Sequence, residues 1–248
     1  MTGASFSFFV VCLLTGTPVY VTLAPLVIEL RQFVVKKGGC HLFFYLSQGL
    51  VLGGTAAAQP GPFQAYLLSQ TLRNGWRRTL VAAFAPLISD GPIVALVLLV
   101  LTQTPTWFLN LLRVLGGFFL LYLARTAYLA FRNAGPVQPD AAGPGRQSLL
   151  QAALLNALNP NPYIFWGTVA GPILIEGWRQ SPASGLGFVL GFYGTLIGGF
   201  MAFILLFALA GRLDPGVSRI LSGASALLLL LFGLYQLWLG IHMVIGLG

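Results

Sequence analysis

Gln59-Pro60-Gly61-Pro62 and, 100 residues later, Asn159-Pro160-Asn161-Pro162 are the two stretches on which the fold turns. Each interrupts a long apolar run, the first within residues 41–71 and the second within 148–176. Proline has no amide hydrogen and its ring clashes with the preceding turn, so two prolines one residue apart leave several backbone groups without helical partners. At membrane depth such backbone is tolerated only where protein or a wet cavity covers it.

The rest of the chain requires that membrane. Of its 248 residues 57% are hydrophobic and only 7% are charged, against about a quarter charged in an ordinary soluble domain. A fold with so thin a polar coat is not a cytoplasmic globular enzyme. Apolar stretches of span length recur throughout, and at roughly 40 residues per span and loop the length allows six crossings. The spans fall at about 41–71, 79–102, 106–132, 148–176, 184–210 and 217–243. All are helical by expectation, because open strands cannot satisfy their backbone in lipid and the alternation of a barrel is missing.

A polar linker rich in Pro, Gly and Ala, 133–147, separates a first half (41–132) from a second (148–243). Each half has three spans, and each places Pro-x-Pro in its first. The third spans are also alike: Gly116-Gly117 leads to Leu120-Leu121-Tyr122 in one, and Leu227–Leu231 precedes Gly233 and Tyr235 in the other. An odd number of spans per repeat makes the second half enter the membrane inverted. The predicted architecture is therefore an all-α polytopic membrane protein of six core helices in two inverted three-helix repeats. Matched broken segments in inverted halves point to a transporter site near the midplane.

The Lys and Arg count of 13 against five acids gives a net charge of +8. The positives are spread over short loops without interleaved aromatics, which argues against nucleic acid. Eight arginines (73, 77, 78, 125, 132, 146, 212 and 219) lie on one side, and Arg31, Lys36, Lys37, Arg113 and Arg179 on the other. The positive-inside bias puts the first group in the cytoplasm. The expected location is the cell (inner) membrane, multi-pass. Cys12 and Cys40 match no zinc or redox spacing, and His41 and His242 are the only histidines; no metal and no cofactor is expected.

The candidate site gathers at the breaks. Half-helices starting after Pro62 and after Pro162 each point a positive N-terminus toward the midplane, where a carboxylate is the natural guest. Gln59, Pro60, Gly61, Pro62 and Gln64 form the first break; Asn159, Pro160, Asn161 and Pro162 form the second, with the amides available to orient a solute. The bland reading is a pair of plain kinks, but two in matching positions favour function. Asp90 is the one acid well inside a core span. A charged Asp at the bilayer centre costs roughly 2.5–3.5 kcal/mol, so it is expected to hold a substrate amino group, a proton, or each in turn. A structural alternative makes Asp90 the N-cap of a helix restarting at Ser89-Asp90-Gly91-Pro92. Arg125 is a weaker candidate partner for Asp90. Asn110, Gln151 and Asn156 are candidates for a polar path, and Gly191, Gly194, Gly198 and Gly199 for close helix contact. Trp76, Trp107, Trp178 and Tyr128 sit near span ends, as an interfacial belt would.

Residues 1–40 fit this scheme least. The run from Phe6 to Ile28 is uncharged but interrupted by Pro18 and Pro25, and no basic start marks a secretory signal. It is expected to be either an extra hydrophobic segment or the product of a misassigned start. Val35-Lys36-Lys37 before the apolar run from Leu42 reads as a natural beginning, which N-terminal sequencing of native protein would test.

Taken in order, these residues resemble a known family. Pro60-Gly61-Pro62, the basic loop Arg73-Asn74-Gly75-Trp76-Arg77-Arg78, Asp90, Leu115-Gly116-Gly117 to Leu121-Tyr122-Leu123, and Asn159-Pro160 are similar to the motifs of the LysE-type (lysine exporter family) amino-acid translocators. The resemblance covers about 42–243 and implies a six-helix exporter of amino acids or related small solutes, driven by the proton motive force. The chain departs from the family pattern at Phe63, where Asn or Asp is usual, at Ser89, where Gly is typical, and at Asn161, where Lys often follows Asn-Pro. The expected partners are a small-molecule solute, an amino acid by resemblance, and the lipid bilayer; a homo-oligomer is compatible with the sequence. The rival readings are an intramembrane enzyme acting on a lipid-linked substrate, which would need a paired acid and base at one depth, and a cation or metal exporter of related fold, which would need more acids or a thiolate.

Overall fold

The computed structural model describes residues 41–100, 105–132, 145–213 and 215–244, so the expectations for residues 1–40 and for most of the linker lie outside the described residues. The described chain is helical. Helix α1 is His41–Ala58, α2 Pro62–Asn74, α3 Trp76–Thr79, α4 Ala85–Ala95, α5 Thr106–Arg132, α6 Gly145–Ala157, α7 Pro160–Phe165, α8 Gly171–Gln180, α9 Pro182–Leu213 and α10 Pro215–Val244. A 3-10 turn, Leu80–Phe84, joins α3 to α4, and π-helical turns follow α4 (Leu96–Val100) and α7 (Trp166–Ala170). Four of these α2, α7, α9 and α10 open on a proline, whose fixed φ suits the first turn and whose missing N–H would be unpaired there in any case.

Among the described residues four stretches are long and apolar enough to cross a membrane: Trp76–Leu98, Thr106–Arg132, Pro182–Ala210 and Gly216–His242. The segments expected to form the first and fourth spans are helical but interrupted, as α1–α2 and α6–α7–α8. Pro172, just inside α8, cannot donate to the carbonyl four residues back, and the ladder widens into the π-turn immediately before it.

The chain divides into two compact units, each drawing on segments from before and after the linker. Among the described residues the first comprises 41–59 and 165–196. Here α1 and the first part of α9 run parallel in backbone contact. A β-carbon on Gly49 would lie 2.8 Å from the Phe192 nitrogen, and one on Gly191 2.5 Å from the Leu46 carbonyl oxygen. Gly53 abuts Phe192 and Thr195, and Gly187 abuts Leu42. Two glycine pairs four residues apart thus face each other, the small-residue geometry by which helices pack where lipid leaves no hydrophobic drive between them. Of the glycines expected to make close contact on α9, Gly191 does so, whereas Gly194 and Gly198 face open space. Phe165, Trp166 and Phe188 gather around Phe192, with ring centroids 5.4, 5.6 and 6.3 Å from it.

The second unit comprises the described residues of 60–164 and 197–248. Its spine is an antiparallel pair, α5 with α10. Gly117 faces Leu237, Gly233 faces Leu121, Gly240 faces Val114 and Gly223 faces Phe131, so one helix's positions rise as the other's fall. Helix α2 packs on α10, and α6 packs on α4 and on the 3-10 turn before it. Gly75, the only described residue with positive φ (79°), turns the chain between α2 and α3, a conformation other residues adopt with strain.

Candidate functional site

The first break is short. Gln59 ends the helical run with its N–H on the Thr55 carbonyl (3.0 Å), and α2 includes Pro62 as its first residue rather than starting after it. The cap residue, Gly61, is extended (φ −169°, ψ −178°) and has no side chain with which to cap the helix. Gln64, in the first turn, folds back so that its Oε1 lies 3.5 Å from where a Gly61 β-carbon would be. Pro60 is exposed and Gln59 half-buried. Phe63, in place of the family's polar residue, is buried and packs its ring 4.8 Å from that of Phe200.

The second break is built differently, and it corrects the predicted boundary. Helix α7 begins at Pro160 and runs through Pro162 rather than starting after it. Asn159 supplies the reason: its Oδ1 accepts the Asn161 N–H (3.1 Å), so a side-chain cap is in place two residues earlier. With Pro160 at the first position, Pro162 still lies within the first turn, where its missing donor has no partner to lose. The preceding helix end is closed too, because the Tyr163 hydroxyl donates to the Ala157 carbonyl (2.9 Å).

Asp90 sits beside this second break. It is 4% exposed and lies inside α4, which continues through Pro92, so it is not an N-cap. Its Oδ1 accepts from Asn156 Nδ2 on α6 (2.7 Å). The same nitrogen donates to Ser89 Oγ (2.7 Å), and the Ser89 hydroxyl in turn donates to the Ala85 carbonyl (3.1 Å). Asp90 is also within electrostatic reach of Tyr163. One acid from the first half is therefore clasped by an amide from the second, three residues before the break. Arg125 is exposed, at odds with pairing to a buried Asp90. Asn110 accepts from Arg113 (3.0 Å).

A second polar cluster, of which sequence reasoning singled out only Gln151, ties α2 to α6. The Tyr66 hydroxyl, fully buried, meets the Ser148 carbonyl (2.9 Å) and Gln151 Oε1 (3.2 Å). Ser148 Oγ donates to Gln70 Oε1 (3.3 Å), and Asn74 donates to Gln70 and Ser148. The available signal was Gln70 and Asn74 four apart on one helix face, flanked by Tyr66. Arg73 donates to Thr126 Oγ1 (3.3 Å); burial lowers its guanidinium from the ordinary value, which still leaves it charged. On α1, Gln48 Oε1 is buried with no hydrogen-bond partner among the described residues. No cluster of three His, Cys, Asp or Glu suited to a metal occurs among the described residues.

With this geometry in place, comparison with known proteins is informative. Residues 55–240 match the family model described as LysE type translocator. The Bacillus subtilis (strain 168) protein YcgF, whose name proposes amino acid efflux, is 25% identical over 207 residues, 79% of this chain and 97% of that protein. The leucine efflux proteins of Salmonella typhimurium (strain LT2) and Salmonella typhi are 29% identical over 112 residues, 43% of this chain; the match spans about half (52%) of each. No solved structure matches the chain.

Proposed function

The chain belongs to the LysE type translocators, a family of transporters, and we propose that it exports amino acids across the cell membrane by exchanging solute and proton at Asp90. The observation that carries this reading is the buried Asp90 carboxylate, set in an apolar helix and bonded by Asn156 at 2.7 Å. An acid kept at such depth costs roughly 2.5–3.5 kcal/mol, a penalty that a solute ammonium or a proton offsets. The full-length relative named for amino acid efflux and the partial relatives named for leucine efflux favour an amino acid as that solute.

The breaks take unequal parts. The solute carboxylate is assigned to the start of α2, around Pro60, Gly61 and Pro62, where backbone dipoles converge and the cap residue is a glycine. Gln59 and Gln64 flank it and orient the guest. Asn159, Pro160, Asn161 and Pro162 form the closed counterpart, their helix start held by Asn159 itself, and they fix the platform beside which Asn156 meets Asp90. The antiparallel packing of α5 on α10, the third spans of the two halves, supports six helices in two inverted repeats, placed in the inner membrane. Rocking of one repeat against the other would then alternate access.

The test is uptake of a labelled amino-acid panel, leucine included, into inside-out proteoliposomes with and without a proton gradient. Gradient-dependent uptake that disappears in Asp90→Asn, in membranes holding equal amounts of folded protein, is the expected result. Undiminished gradient-driven uptake by Asp90→Asn removes Asp90 from the mechanism.

A further inference from the structure

Asn156 does more than fill a gap beside Asp90, because its surroundings fix which way its amide faces. The Ser89 hydroxyl hydrogen is engaged by the Ala85 carbonyl, so Ser89 Oγ presents a lone pair. An ionised Asp90 presents another. The Asn156 amide thus faces two acceptors, and only its NH2, which carries two hydrogens, satisfies both from one position, as observed at 2.7 Å to each. A proton on Asp90 Oδ1 reverses that demand. The carboxyl then has a hydrogen to donate, and the oxygen that carries it is a weaker acceptor for the facing NH2 than the ionised oxygen was. Turning the amide about its last side-chain bond brings Oδ1 to the same place, where it accepts from the Asp90 O–H and from a Ser89 hydroxyl rotated away from Ala85. No backbone need move for this exchange.

We infer that Asn156 is a positioning residue that converts the protonation state of Asp90 on α4 into one of two amide orientations on α6, and so couples the proton to the second half of the molecule. The inference rests on the proposed role of Asp90. It gives Ser89 a part: without its oxygen the second N–H of Asn156 would lack its partner and the ionised-state orientation would be less strongly fixed. The coupling has a short route to the break, because Asn156 lies in the last turn of α6, next to the Ala157 carbonyl that Tyr163 holds. Its claim is specific: Asn156 is needed for proton-driven movement and not for holding solute.

Two transport modes in proteoliposomes separate these roles. Gradient-driven uptake requires the proton; counterflow of labelled against unlabelled leucine at zero gradient does not require net proton transfer. Asn156→Leu, which removes both amide groups at similar volume, is expected to lower gradient-driven uptake at least tenfold while counterflow changes less than threefold. Ser89→Ala keeps the Asn156–Asp90 bond and is expected to show the same split at smaller size, and it carries the test if the leucine variant fails to reach the membrane. The double exchange Asp90→Asn with Asn156→Asp, which swaps acid and amide across the same contact, is expected to recover gradient-driven uptake lost in each single variant. Equal loss of both modes in Asn156→Leu and Ser89→Ala, or loss of neither, overturns the inference while leaving Asp90 in place. Retention of gradient-driven uptake by Asp90→Asn alone would remove the reading beneath it, and is a different outcome from either.

Discussion

The two Pro-x-Pro breaks share a motif and differ in how they are finished. At the second, Asn159 caps the new helix, Tyr163 closes the old one, and Pro162 is absorbed into the first turn. At the first, the cap position is Gly61, which has no side chain to offer. A single difference in residue type, Asn against Gly at the cap, separates a break whose cap residue bonds its own helix start from one whose cap residue has no side chain to do so. Sequence repeats therefore locate a pair of special sites without implying that both do the same work.

The comparison can be broken first at Asp90, the group the sealed break supports. Losing one partner of a buried, hydrogen-bonded charge contact costs roughly 2–5 kcal/mol, so Asp90→Asn should lower gradient-driven uptake at least about 30-fold. Tyr163→Phe comes next. It leaves the Ala157 carbonyl without its donor and should destabilise the protein by about 2 kcal/mol, seen as a lower thermal midpoint in lipid nanodiscs; an unchanged midpoint would mean that break is not held shut by the hydroxyl. Gly61→Asn sharpens the contrast by making the first break resemble the second. The backbone there suits any residue and a β-carbon meets nothing closer than 3.5 Å, so the variant should fold. Its side chain should compete with the solute carboxylate and raise KM about tenfold, equivalent to about 1.4 kcal/mol, with kcat nearly unchanged. Smallest of the four, Asn159→Ala should remove a cap worth about 1 kcal/mol and lower stability without altering KM.

Much of this could be read in the residues. Apolar runs of span length with no barrel alternation allow only helices in lipid, and the unbroken stretches such as Thr106–Arg132 fall where they were expected. The second break was placed two residues late because proline is ordinarily read as a stop, whereas Asn159 turns Pro160 into a start and carries Pro162 with it. Asp90 stood out as a lone acid in an apolar run. Asn156 was a candidate for a polar path, but its pairing with Asp90 was not legible, because the two are 66 residues apart and which faces of two distant helices meet is a property of packing rather than of periodicity. The same holds for Tyr66 with Ser148 and for Gly49 and Gly53 against α9. Ser89 was visible as a departure from the family, but its use as an acceptor needed the hydroxyl's own partner at Ala85 to be known.

The facing glycines of α1 and α9 carry a consequence for inheritance. Every single-nucleotide missense change of a glycine codon introduces a β-carbon, and at positions 49, 53 and 191 that carbon would be driven into the backbone of a neighbouring helix. These three codons consequently have no mild alleles one step away. Gly54 and Gly194, on the same two helices with nothing within 4 Å, have many. In a saturation screen the first three should appear as empty rows and the other two as full ones, a pattern that composition and hydropathy alone would never separate.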